Sequence, residues 1–246
     1  MNPYDTRKTS GGSSGGETAL ISSGASVLGI GTDFVGSLRI PSFFTGIFAH
    51  KPTAGTIPLD GHFFLVDDPI FRQLLTIGPI ARYVEDLYLS MKVLATSPEC
   101  RLLPLFDQPV DITKLKFYYF DSISGIFGIK STTSEIKETI HKAKQYLITK
   151  GANVEENMLK DNGILICPTW CRTASFPQIM LWELHCSIYT ALANITSIPA
   201  TQIPMGISKD GIPLGFQAMS ASYQDHLCLA VAREFEKDYC GWVPPS

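Results

Sequence analysis

Thr9-Ser10-Gly11-Gly12-Ser13-Ser14-Gly15-Gly16 opens the stretch that decides the reading, and Gly31-Thr32-Asp33-Phe34-Val35-Gly36-Ser37-Leu38-Arg39-Ile40-Pro41 closes it. Glycines at such turns admit positive φ and let successive N–H groups face one point, which is how a chain builds a cradle for an anion. A serine at the end of such a turn can attack a carbonyl while neighbouring amides hold the oxyanion that forms. By composition alone, residues 10–16 also read as a flexible Gly/Ser linker. The small, apolar run from Thr18 to Ile30 suits close burial better than a solvated tether.

Two familiar motifs do not fit. Gly11-Gly12-Ser13-Ser14-Gly15 matches a nucleophile elbow in form, but the approach Asp5-Thr6-Arg7-Lys8-Thr9 is not an apolar strand. Gly29-x-Gly31 begins like a dinucleotide fingerprint, yet Phe34 occupies the third glycine position.

The run from Gly31 through Pro41 to His50-Lys51-Pro52-Thr53 resembles the signature of the amidase signature family of serine hydrolases, and within it the fatty-acid amide hydrolases. The resemblance continues at Thr76-Ile-Gly-Pro-Ile-Ala-Arg82, Pro199-Ala-Thr-Gln-Ile-Pro204, Gly211-Ile-Pro-Leu-Gly-Phe-Gln217 and Gly241-Trp-Val243. It implies an α/β fold, a mixed twisted β-sheet core flanked by helices, carried incompletely in one domain over 1–246. It also implies Ser37 as nucleophile, Ser13 as the proton relay held by a cis peptide bond, and the amides of Phe34, Val35, Gly36 and Ser37 as the oxyanion site. The reaction implied is hydrolysis of a fatty-acid amide through a serine acyl-enzyme, with no metal or organic cofactor.

In that family the ultimate base is a lysine made neutral by burial, lying several tens of residues before the first serine. No such lysine precedes Ser13 in this chain. Lys8 reads as a surface lysine, and Lys51 matches a structural position. Val35 stands where the family has glycine, and a β-branched residue there is strained if positive φ is required. Three readings follow: an impaired hydrolase, an amidotransferase subunit, or a non-catalytic product or incomplete gene model. The helical block expected after Asn157 is missing, which marks a junction near 157–158. An oligomer is expected if this leaves apolar faces bare.

The overall numbers narrow the field. With 246 residues, 45% hydrophobic and 17% charged, the chain can bury a sizeable core. A formal charge of −3 without a basic run argues against nucleic acid as partner and leaves a small, lipid-like amide. Six cysteines at irregular spacings read as reduced thiols, and the polar opening residues lack a signal peptide, so an intracellular, cytoplasmic location is expected. In the resemblance, membrane association comes through an N-terminal segment that this chain lacks.

Along the chain, residues 53–75 read as loop with short strands, Phe63–Val66 among them. Gly78-Pro79 reads as a stop before a helix over Val84–Ala95. Lys114–Asp121 and Gly163–Pro168 read as buried strands, and Thr133–Lys150 as an amphipathic helix closed by Gly151. Ser187–Gly206 reads as helix then strand, Asp210-Gly211 as a turn into Leu214–Met219, and Asp225–Asp238 as the last helix. Asn194-Ile-Thr196 is a sequon expected to be idle. His141 is expected at the surface, and His226 as a surface or capping residue. Ile40, Phe43, Phe44, Ile47 and Phe48 suit either an acyl substrate or a core.

Overall fold

The computed structural model describes residues 1–63, 68–96, 103–123, 130–159 and 163–245. Eight strands form one sheet: β1 (Leu28–Asp33), β2 (Phe48–Lys51), β3 (Thr76–Ala81), β4 (Lys116–Tyr119), β5 (Asn153–Glu156), β6 (Ile164–Cys167), β7 (Ala200–Ile207) and β8 (Pro213–Met219). Their order is β1-β3-β2-β7-β8-β6-β4-β5. Pairing is antiparallel from β1 across to β6 and parallel for β6-β4-β5, so the mixed sheet expected from the sequence is present.

The helices are α1 (Gly15–Ser22), α2 (Arg39–Phe44), α3 (Pro69–Leu74), α4 (Val84–Leu94), α5 (Ser134–Thr149), α6 (Pro177–Trp182), α7 (Ile188–Ile195) and α8 (Asp225–Tyr239). In α5 the expected face of Ile136, Ile140, Ala143 and Leu147 is buried, and Gly151 follows at φ +91°. One core joins α4, α5 and α8 to the sheet through residues such as Leu87, Ile140, Phe216 and Phe235. A second packs α2 against Trp170 and Tyr189. Phe43, Phe44, Ile47 and Phe48 are fully buried and Ile40 nearly so, which makes all five core and none of them substrate wall.

Several local expectations are corrected. The Gly/Ser run is no tether, because Ser14 opens α1 and Gly15 is already helical. Gly78-Pro79 lies inside β3, not before a stop. Pro79 faces Ile30 of β1, beyond the two-residue register that β3 shares with β2, so it removes no hydrogen bond from that ladder. Gly78 is required there, since a Cβ would stand 2.1 Å from the His50 carbonyl oxygen. Residues 53–75 contain a helix, α3, capped by Asp68, whose carboxylate accepts from Ile70 N and Phe71 N. The Asp68-Pro69 pair is a cap followed by a first-turn proline, a start signal legible in the sequence. The strand expected over Lys114–Asp121 is confined to Lys116–Tyr119, behind a 3-10 turn at Ile112–Lys114. Of the short strand read at Phe63–Val66, residues 64–66 lie outside the described residues, as does Cys100. His226 is half-buried, and desolvation lowers its pKa. His141 is exposed, as expected, with Nε2 3.1 Å from Asp121.

No helix of the described residues is long and apolar enough to cross a membrane.

Phe235 of α8 tests this packing. Its ring centroid lies 4.9 Å from that of Phe216 on β8 and 4.8 Å from that of Tyr146 on α5, and it is fully buried. Phe235→Ala is expected to cost about 3–5 kcal/mol, read as a lowered urea midpoint at unchanged slope. A loss below ~1 kcal/mol would show that α8 is not packed as described.

Candidate active site

The turn from Asp33 to Arg39 is built on a buried ion pair. Asp33 ends β1 with its carboxylate fully buried, where it accepts from Gly36 N at 2.8 Å and Leu38 N at 3.3 Å. Arg39, the first residue of α2, meets both oxygens, Nε to Oδ2 at 3.0 Å and an Nη2 hydrogen to Oδ1 at 3.0 Å. Burial by itself would raise the Asp33 pKa, but the guanidinium outweighs it and holds the carboxyl down at about 2. The remaining Arg39 N–H groups reach Gln217 Oε1 on β8 at 2.8 Å, and Thr190 O at 2.9 Å and Asn194 Oδ1 at 2.7 Å on α7.

Helix α7 closes over the same turn. Thr190 Oγ1 donates to Val35 O at 2.6 Å, and Asn194 Nδ2 lies 3.1 Å from Asp33 O, 3.0 Å from Asp33 Oδ1 and 3.0 Å from Leu74 O. Gly36 sits at φ +122°, and a Cβ there would stand 2.2 Å from Thr190 Oγ1, so no other residue fits. The positive φ of the turn therefore belongs to Gly36. Val35 is not among the residues with positive φ, and the strain expected of a β-branched residue does not arise.

Ser37 stands half-buried on this turn, and its carbonyl accepts the N–H of Ser14 at 3.1 Å. That bond brings the two glycine-bordered turns together. Ser13 is exposed, and the Gly12–Ser13 peptide bond is cis. Of the four amides expected to serve an oxyanion, that of Gly36 is directed at Asp33. Those of Phe34, Val35 and Ser37 make no hydrogen bond among the described residues and are the turn's uncommitted donors.

Two lysines bear on the base that the resemblance calls for. Lys8 is not a free surface group: it is half-buried and donates to Ala174 O at 2.9 Å. Lys51, at the end of β2, is fully buried and donates to Pro52 O at 2.9 Å. Desolvation, with the Arg39 charge adding to it, lowers its pKa to about 7, against the opposing pull of Asp33 and Asp225. Next to it His50 bridges Thr201 Oγ1 (2.7 Å) and Asp225 Oδ1 (3.1 Å), all out of solvent. Asp225 also accepts from Thr53 N at 2.8 Å and Thr53 Oγ1 at 2.6 Å, so this Thr-His-Asp line is spent on holding β2, β7 and α8.

Sequence reasoning missed Thr190, Asn194 and Gln217 as supports of the turn. A polar pair spaced i, i+4 on the otherwise apolar α7 was the signal for two of them. Asn194, read as an idle sequon, is buried and bonded to the turn, which explains why it cannot be an acceptor for sugar. The outer side of α7 is different in kind: Ile188, Leu192 and Ile195, with Phe120, Ile123 and Met158, line an apolar cavity of about 220 Å³. Among the described residues no group of His, Cys, Asp and Glu could hold a metal ion.

Lys51 gives a pH test with a definite sign. It is neutral above about 7 in the folded chain and stays protonated to its ordinary 10.5 when unfolded. In that interval the unfolded state binds more protons, so stability rises with pH, by up to ~1.4 kcal/mol per unit. Above about 9 the opposite effect begins, because burial pushes the thiols of Cys167 and Cys228 up to about 12. Denaturant titrations between about pH 7 and 9 are expected to show the rise in the native chain and its loss in Lys51→Met. An identical slope in both would refute a neutral Lys51.

The Amidase family model matches residues 1–161. The chain is 30% identical to fatty-acid amide hydrolase 2 of Homo sapiens over 339 aligned positions, using all of this chain and 63% of that protein. The matched span thus contains positions of the relative that these 246 residues lack, and the chain spans about 63% of its length. It is also 32% identical to a glutamyl-tRNA(Gln) amidotransferase subunit of Ruminiclostridium cellulolyticum, over 63% of this chain and 32% of that one. Among solved structures, 6-aminohexanoate cyclic dimer hydrolase superposes with a TM-score of 0.83 at 18% identity, over 97% of this chain and 70% of that one. The corresponding amidotransferase subunit of Thermotoga maritima gives 0.82 at 20%, over 100% and 71%. At such identities the likeness concerns the fold, whereas the sequence match over residues 1–161 includes both serine turns: the chain belongs to the amidase signature family.

Proposed function

We propose that the chain carries the acyl-transfer site of an amide hydrolase of the fatty-acid amide type, impaired as it stands. The observation that carries this reading is the turn braced by Asp33 and Arg39, which presents Ser37 beside uncommitted backbone N–H groups. In the reaction, Ser37 Oγ attacks the amide carbonyl as its proton passes through the Ser13 hydroxyl to a general base. The N–H groups of Phe34, Val35 and Ser37 hold the tetrahedral oxyanion, and the amine departs with a proton returned through Ser13. Water then attacks the acyl-enzyme and releases the free acid.

Support for a lipid-like substrate is the apolar cavity on the outer side of α7, whose inner side holds the Ser37 turn. The relative named for fatty-acid amides points the same way. The impairment rests on the lysines: Lys8 is bonded to Ala174 O and Lys51 to Pro52 O, so neither is engaged with Ser13 or Ser37. The same observation favours a second reading, a non-catalytic protein that keeps the frame of the site. An amidotransferase role has the amidotransferase relatives behind it but no feature of this site.

Labelling with a fluorophosphonate probe tests the proposal. Label is expected at Ser37 only and to vanish in Ser37→Ala. It is expected to form about 10²–10⁴-fold faster once the segment preceding the matching serine of the human relative is fused ahead of Met1, that being the usual worth of a general base. Label that persists in Ser37→Ala would remove Ser37 from the role. Equal rates with and without the added segment would show a working base within this chain and overturn the impairment.

A further inference from the structure

Two buried thiols stand closer together than packing requires. Cys186 Sγ lies 2.7 Å from Cys171 Sγ, across 15 positions of sequence, and both residues are almost wholly out of solvent. Cys171 belongs to the loop after β6, and Cys186 to the 3-10 turn Leu184–Ser187 that leads into α7. They share a core with Phe44, Trp170 and Tyr189. A disulfide needs about 2.05 Å between the sulfurs, so a small side-chain movement joins them. The other described cysteines are placed otherwise. Cys228 is 3.1 Å from Ser220 Oγ, Cys167 is buried in β6, and Cys240 is exposed.

The sequence reading takes all six cysteines as lasting thiols; the geometry points to a different fate for two of them. We propose that Cys171 and Cys186 are a thiol/disulfide couple, closed by exchange with a small disulfide such as oxidised glutathione. One protein thiolate attacks the glutathione disulfide and expels a glutathione thiolate, leaving a mixed disulfide. The second protein thiolate attacks that bond at the protein sulfur and expels the other glutathione. The two protein thiols are oxidised by two electrons in total, and one oxidised glutathione becomes two reduced molecules. Within the pair, the hydrogen bond from Cys186 favours the Cys171 thiolate and raises the pKa of Cys186 itself, which makes Cys171 the first attacker.

The bond would act on the supports of the site. The loop of Cys171 also carries Ala174 and Ser175, whose carbonyls accept from Lys8 Nζ and from Thr9 N at 2.9 Å, next to the turn of Ser13. Cys186 lies at the foot of α7, four residues before Thr190, which holds Val35. Closing the pair ties the support of one serine turn to the support of the other. This inference stands on the thiol geometry and does not depend on the chain being a hydrolase.

The purified full chain is equilibrated with oxidised glutathione, denatured in excess alkylating reagent, and weighed intact and as peptides. Four of the six cysteines are expected to take the reagent, with Cys171 and Cys186 recovered in one linked peptide pair. The link is expected to be lost in Cys171→Ala and in Cys186→Ala, and reduction to lower the melting temperature by roughly 5–10 °C. Alkylation of all six, or a link formed with Cys100, Cys167, Cys228 or Cys240 instead, would overturn it, and neither readout needs a variant to fold.

Discussion

The ion pair between Asp33 and Arg39 is the constraint on which the site depends. Both groups are wholly buried, a situation that stabilises only when every charge finds partners. Here the carboxylate is met by a two-point guanidinium fork, backbone N–H groups and the Asn194 amide, and the guanidinium by Gln217, Thr190 and Asn194. Removing one partner would leave a buried charge uncompensated, typically at a cost of about 3–5 kcal/mol. The specificity is as important as the energy. The pair fixes the end of edge strand β1 against central strand β8 and against α7, and between those anchors only the Gly36 conformation closes the turn that shows Ser37 to solvent.

Helix α7 links that turn to an apolar cavity. Its short span places Thr190 and Asn194 on one side and Ile188, Leu192 and Ile195 on the other. One side bonds the turn and the other lines the cavity, so whatever fills the cavity bears on the helix that supports the nucleophile candidate. Lys51 adds a second buried charge problem near the first. It is resolved by neutrality, with the Arg39 charge helping to keep the ammonium form unfavourable.

Legibility in the sequence followed the nature of the interaction. Helices α5 and α8 were readable because burial of one face leaves a period in the chain, strand β6 because burial of both faces leaves a short apolar run, and the serine turns through their resemblance to a family signature. Pro79 misled, since its effect in β3 depends on where the β2 register ends, which is a pairing fact and leaves no local mark. Helix α3 had its mark in Asp68-Pro69, but at six residues it is too short for a period to stand out, and none of its residues is buried. The bracing of Asp33 by Asn194 and of Arg39 by Gln217 joins positions more than 150 residues apart, and beyond the polar pair Thr190 and Asn194 on α7 no pattern in the segments announces it. The burial of Lys51 is of the same kind, a charged residue whose charged neighbours Asp33, Arg39 and Asp225 come from β1, α2 and α8.

Amide hydrogen exchange in Asp33→Asn tests the dependence of the site on the ion pair most directly. Gly36, Leu38 and Arg39 N–H all face the Asp33 carboxylate, whereas the β7–β8 ladder is held by its own backbone bonds. Faster exchange at Gly36, Leu38 and Arg39, with residues 200–219 protected as in the native chain, is the result this account predicts. Unchanged protection of the turn, or equal loss across turn and ladder, would contradict it.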